Sequence, residues 1–274
     1  MKNRTVLITG ASSGIGKALA VEFANRGFTV IATARSIEKT EGLDTENIVK
    51  KTHDVTDYDS SEKLYDGLKK DGYEIDILIN NAGYGLTGPA LEIPITEIEK
   101  EFSVNVFGAL RLAQIVGRDM AKRGAGVIAN IGSVSGMLTT PFASAYCASK
   151  AAINAFSDGL RMELKPFGVN VITVTPGAIV SRFGETSAAI AENVLPPDSL
   201  YEKYREKILE RARLSQKDAT PVEDFAKKLT DKILSDNPPP NFRYGKMSFL
   251  AWFLSHCFGY KTRDKILTKK FGLG

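Results

Sequence analysis

Short runs rich in β-branched residues recur along this chain with helical patterns between them: TVLIT (5–9), FTVIATA (28–34), NIVKKTHDV (47–55), IDILIN (75–80), GVIANIG (126–132) and VNVITVT (169–175). Strands this continuously apolar leave no face for water, so both sides must be covered, and the helix after each strand supplies the cover. The pattern predicts right-handed βαβ units in a doubly wound parallel sheet, an α/β fold. The helical stretches are 14–26, 60–71, 96–123 and 143–165. Thr96 with Glu99 reads as a capping box, and Thr220 before Pro221 as a cap with proline at the first helical position. Pro166 to Gly168 reads as a helix stop. A strand-like NFRYG follows the prolines at 238–240 and predicts a last edge strand. With no repeat and no low-complexity linker, one domain over 1–274 is expected.

Composition narrows the function classes. Cys147 and Cys257 are far apart and form no spaced cluster with His53 and His256; no metal site or disulfide framework is expected, and a reducing, intracellular setting is. The charged start runs straight into a strand pattern too short for a signal-peptide core, so no export is expected. The net charge of +4 is uneven: from Asn241 onward seven cations face Asp264 alone, leaving +6 in the tail and −2 in the remainder. Elsewhere cations are mixed with acids and no recognition motif occurs, so nucleic acid is not an expected partner.

After the first strand, TGASSGIG places Gly10, Ser12, Ser13, Gly14, Ile15 and Gly16 at a turn that opens a helix. Glycines let backbone turn tightly and approach a ligand, and a helix start offers unpaired N–H groups to a pyrophosphate. No GK[ST] follows, so an NTP-hydrolysing phosphate loop is not expected. The second strand ends in TARS, with Arg35 where an NAD site presents an acid to the ribose. A guanidinium there suits the 2′-phosphate of NADP.

Tyr146 and Lys150 lie four positions apart, on one helical face. A tyrosine that trades protons near neutral pH must drop from a pKa of about 10 to about 7, roughly 4 kcal/mol. One ammonium at ~4 Å supplies about that much at an effective dielectric near 20. Burial opposes it, so the charge of an oxidised nicotinamide is expected to help.

These motifs, together with NNAG (80–83), VNVFG (104–108) and Ser133, resemble the short-chain dehydrogenase/reductase family over about the first 180 residues, in the family's order and spacing. The resemblance implies a Rossmann-type sheet of seven parallel strands in the order 3-2-1-4-5-6-7, and a tetrad of Asn105, Ser133, Tyr146 and Lys150. It implies NADP(H) contacts at Asn81, Ala82 and Gly83, at Asp54 and Val55 of HDVTD, and at Pro176, Gly177, Ile179 and Ser181 of PGAIVS, where Ser181 stands for the family's threonine. Tyr146 and Lys150 would touch the nicotinamide side as well, and Asn105 would support a water that relays protons to Lys150. Homo-oligomers, dimers or tetramers, are the family's habit.

Residues 182–219 fall where the family places its substrate lid, with Arg182, Lys203 and Arg205 available to an anionic group. In the extension, about 246–274, MSFLAWFLSHCFGY (247–260) is flanked by Lys246 and Lys261, and its apolar stretch is too short to span a bilayer. It suits a segment lying at a membrane surface, a cover for the cleft, or a subunit contact. The tail, Arg35 and KPFGVNVI (165–172) resemble the fungal NADPH-dependent 1-acyldihydroxyacetone-phosphate reductases of the family, while steroid and retinol reductases share the TAR stretch. The expected activity is NADPH-dependent reduction of a hydrophobic carbonyl substrate, in the cytoplasm or on an internal membrane or lipid droplet; a cofactor-binding regulator without turnover is the alternative.

Overall fold

Seven strands pair in one sheet, and every pairing is parallel. The computed structural model describes residues 4–38 and 40–274; the charged start, residues 1–3, lies outside them. In chain order the elements are β1 (Thr5–Thr9), α1 (Gly14–Asn25), β2 (Thr29–Ala34), β3 (Ile48–Thr52), α2 (Tyr58–Lys70), β4 (Ile75–Asn80) and α3 (Ile95–Phe102). A π-helical segment, Ser103–Gly108, joins α3 to α4 (Ala109–Arg123). Then come β5 (Gly126–Ile131), α5 (Ser144–Leu164), β6 (Val169–Pro176), α6 (Phe183–Val194), α7 (Arg205–Arg213), α8 (Val222–Ile233), β7 (Asn241–Tyr244), α9 (Ser248–Cys257) and α10 (Tyr260–Lys270).

The strand order is β3-β2-β1-β4-β5-β6-β7, as the resemblance implied. The order reverses between β1 and β4, so the chain leaves these neighbours in opposite directions and opens a crevice beyond their carboxyl ends. Central strands are buried along their length, whereas β3 and β7 expose Lys50, Lys51 and Arg243 in part. Charge on an edge strand discourages pairing with another chain. Phe23, Phe225 and Leu229 pack on one face of the sheet; Leu68, Leu112, Val116 and Met120 pack on the other. A third cluster, away from the sheet, joins Leu138, Phe142, Ala191 and Ile208 to Ala251, Leu267 and Phe271 of the tail.

Two expected caps are corrected. Pro94, not Thr96, precedes α3, and its carbonyl accepts the Glu97 N–H at 2.9 Å with no side-chain cap. Proline's fixed φ suits the extended residue before a helix, which draws Thr96 into the first turn. Pro221 likewise precedes α8. Thr220 bonds instead to the ends of two strands: its N–H donates to the Ala178 carbonyl at 3.0 Å, and its hydroxyl accepts the Lys246 N–H at 3.0 Å. The expected stop after α5 is present, with Gly168 at φ 69.

Candidate active site

The loop after β1 turns through Gly10 and Gly14 at φ 64 and 53. A side chain at Gly10 would stand 2.8 Å from the Ala82 Cα, and one at Gly16 would run into the Asn81 amide and the Gly10 carbonyl. Asn81 grips this turn, donating from Nδ2 to the carbonyls of Thr9 (2.9 Å) and Gly10 (3.1 Å). The Asn81 and Ala82 N–H groups both donate to Thr9 Oγ1 at 3.0 Å. At the start of α1 Ser13 makes no side-chain cap, so first-turn N–H groups are available to an anion.

Ser12, Ser13, Gly14, Ile15, Asn81, Ala82 and Gly83 line one end of a cavity of about 1590 Å³, together with Gly10, Arg35, Asp54 and Val55. Gly16 does not reach it; its part is the close packing of α1 against the strand ends. Arg35 is exposed. Burial pushes the Asp54 carboxyl up, but the Thr56 N–H and hydroxyl, at 2.9 and 2.7 Å, and the Arg35 charge hold it below its usual value. Pro176, Gly177, Ile179 and Ser181 reach the same cavity from the end of β6, and the Ser181 N–H donates to Gln216 Oε1 at 2.9 Å. His53 has a structural partner, its Nε2 lying 3.0 Å from Ser61 Oγ.

Tyr146 lies in the first turn of α5 and Lys150 in the second, both facing the cavity. Lys150 Nζ donates to the Ile131 carbonyl at 2.8 Å and stands 6.0 Å from the centre of the Tyr146 ring. Ser133 follows β5; its Oγ accepts the Ser135 N–H at 3.1 Å and shares a hydrogen bond with the Tyr146 hydroxyl. Burial pushes the Tyr146 hydroxyl above its ordinary value, against the Ser133 hydrogen bond. Burial also brings Lys150 down to about 8, while the Glu101 charge pulls it back up. Desolvation is thus the largest influence on both groups, and it works against the charged form of each.

Asn105 stands behind the cavity wall, 2% exposed, inside the π-helical segment. Its Oδ1 accepts the Tyr84 N–H at 3.0 Å, and its Nδ2 donates to the Tyr84 carbonyl (2.9 Å) and Ser149 Oγ (3.0 Å). Ser149 Oγ in turn donates to the Tyr146 carbonyl at 2.9 Å. A methyl at Gly83 would lie 2.9 Å from Asn105 Oδ1 and 3.5 Å from Lys150 Nζ, so both groups border this glycine.

Residues 4–190 match the family model described as short chain dehydrogenase. The chain belongs to that family. An NADPH-dependent 1-acyldihydroxyacetone phosphate reductase of Schizosaccharomyces pombe is 37% identical over 224 residues, 81% of this chain and 75% of the relative. A short-chain dehydrogenase from Streptomyces avermitilis has the same fold at TM-score 0.80, with 29% identity over 99% of this chain and 98% of the other. The closed form of a serine dehydrogenase complexed with NADP+ superposes at TM-score 0.77, with 25% identity over 89% and 95%. As a short-chain dehydrogenase the protein is an oxidoreductase that takes a nicotinamide cofactor and a small-molecule substrate. The glycine turn, the open start of α1 and the crevice beyond β1 and β4 fit the dinucleotide.

The substrate end of this dehydrogenase holds Phe183 and Arg211, which the sequence did not single out, and part of the tail segment, which it did. Phe183 packs its ring 5.4 Å from that of Tyr146. Arg211 lines the cavity, and so do Met247, Leu250, Ala251 and Leu254 of the tail, which forms one wall of the cleft. Of the three lid cations expected to meet an anion, Arg182 alone lines the cavity. Lys203 lies 4.9 Å over the Tyr204 ring, and Arg205 pairs with Glu202 at 2.7 Å. An arginine at the inner end of a charged helix carries no local pattern that marks it off from these; only the fold distinguishes them.

Proposed function

We propose that this short-chain dehydrogenase is an NADP(H)-dependent carbonyl reductase acting on a hydrophobic ketone. The observation that carries the reading is the grouping of Tyr146, Ser133 and Lys150 in one cavity with the glycine turn and Arg35. When bound, the nicotinamide supplies the hydride. Tyr146 is the proton donor to the substrate oxygen, and Ser133 donates a second hydrogen bond as charge develops there. Lys150, near neutrality at about 8, can hold or release a proton beside Tyr146. Asn105 fixes the backbone around Tyr84 and α5 that holds this group in register. Arg35 and Ser36, side by side at the adenine end, suit a 2′-phosphate through charge-assisted hydrogen bonds.

The name of the Schizosaccharomyces pombe relative puts 1-acyldihydroxyacetone phosphate first among substrates to test, with steroids and retinal beside it. A cavity of this size with an apolar wall supports a long-chain or polycyclic substrate. We infer also that the outer face of the tail rests on an intracellular membrane or lipid droplet.

The test is NADPH oxidation across that panel, with NADH alongside. Turnover with NADPH is expected for at least one ketone, and Tyr146→Phe should cost about 100- to 10,000-fold in kcat, the range of a lost general acid. Undiminished turnover in that variant would remove Tyr146 from the role.

A further inference from the structure

Arg211 differs from the other cations of α7. Arg205 is paired with Glu202 at 2.7 Å, Lys207 with Glu210 at 2.8 Å, and Arg213 lies 3.9 Å from Glu192. Arg211 points inward into the cavity, and among the described residues no aspartate or glutamate forms an ion pair with it. Its Nε donates to Thr140 Oγ1 at 2.7 Å, and it also reaches the Cys147 thiol. Neither partner neutralises it. Burial presses against its charge, and its field in turn reaches the Tyr146 hydroxyl. Half-buried in the cavity wall, the guanidinium gives up part of its hydration, which is costly unless an anion meets it. Its planar fork has five N–H donors, of which Thr140 takes one on Nε. The same cavity has apolar lining from Leu138, Phe183, Ile190, Leu254 and Leu267.

We propose that Arg211 is the seat for an anionic group of the substrate, an oxyanion with at least two acceptor oxygens, carboxylate or phosphate ester. The proposal rests on the carbonyl-reductase reading: the ketone lies at Tyr146, the anion at Arg211, and the alkyl part along the wall that α9 and α10 complete. A bidentate pair between guanidinium and oxyanion gives both orientation and affinity. The group selects substrates in which carbonyl and anion are near neighbours, because Arg211 and Tyr146 line the same cavity and Arg211 reaches the thiol of Cys147, the residue after Tyr146.

Binding of decanoate, decyl phosphate and decanol to the full chain, with and without NADP+, tests this by calorimetry. At least one anion should bind roughly tenfold to hundredfold more tightly than the alcohol, the worth of a hydrogen bond to a charged group. The two anions separate a carboxylate site from a phosphate site. Arg211→Gln should bring the favoured anion to within about twofold of decanol, and Arg211→Lys should keep part of the preference. Should the Gln variant fail to fold, phenylglyoxal labelling of the unaltered protein gives a second reading: the favoured anion should shield Arg211 and decanol should not, mapped by peptide mass spectrometry. Equal affinity of the unaltered protein for anions and alcohol, an undiminished preference in Arg211→Gln, or no shielding would each overturn the assignment. Failure of the reductase reading is distinct from these, since it would appear as absent NADPH oxidation while anion preference is still measurable.

Discussion

Glu101 is fully buried at the end of α3. Its Oε1 accepts the Leu86 N–H at 2.8 Å, and its Oε2 has no hydrogen-bond partner. Burial raises its pKa from 4.5 to about 7, opposed by the Leu86 hydrogen bond and the charge of Lys150. The sign of its effect on stability follows. Below about pH 4.5 the acid is protonated whether the chain is folded or not, and contributes no pH dependence. Between about 4.5 and 7 the folded chain keeps a proton that the unfolded chain releases, so stability falls as pH rises, by about 3 kcal/mol in all. Glu101→Gln imitates the protonated acid and should lack this decline; urea unfolding at pH 5 and pH 8 measures it, and parallel losses in the two proteins would refute the argument. Neither Glu101 nor Arg211 is legible in the sequence, where each is one charge on a charged helix. Tyr146, Lys150, Ser133 and the glycines are legible because fixed spacing is itself the signal, carried by one helix or one turn.

Elements were legible in proportion to how local their causes are. Six of the strands stand where runs of β-branched residues occur, because continuous apolar sequence has few places to go except a sheet, and β7, NFRY, is the strand-like run expected at the edge. The lid helix α6, with the sequence FGETSAAIAENV, is hidden because its buried side chains are small, Gly184, Ser187, Ala188 and Ala191, and give little amphipathic contrast. The π-helical turn at Ser103–Gly108 has no pattern distinct from an α-helix, since it consists of a shift in hydrogen-bond partners. The tail helices depend on a third cluster separate from both faces of the sheet. Phe271, 5% exposed, anchors α10 there. Phe271→Ala should remove about 3–5 kcal/mol of packing, more than a terminal segment docked on a small cluster can lose and remain closed. Hydrogen exchange should therefore speed up in α9 and α10 while β1 and β4 stay protected; equal acceleration throughout would mean that the tail and the sheet unfold as one.

Across the whole molecule, charge and apolar surface converge on the same end. The tail carries +6 in a chain of net +4, and α9 has two working faces. Ala251 and Leu254 line the cavity, while Phe249 and Phe253 are 65% and 38% exposed. Leu250 belongs to both, and Met247, just before the helix, likewise lines the cavity and reaches solvent. Among the described residues no helix is long and apolar enough to cross a membrane, so a bilayer would be met at its surface, with aromatic rings at headgroup depth and Lys261, Lys265 and Lys269 toward anionic lipid. That arrangement would set the cavity wall formed by α9 beside the lipid, as the proposed hydrophobic substrate would require. Flotation with phosphatidylcholine vesicles, with and without phosphatidylserine, should carry the protein up chiefly with the anionic lipid, and less as salt rises, since each basic residue near the surface adds about 1 kcal/mol. Replacing Phe249 and Phe253 by serine removes apolar area but no charge, and should weaken flotation even at low salt. If that double variant floats as the unaltered protein does, the aromatic face does not enter the bilayer and the attraction is electrostatic alone.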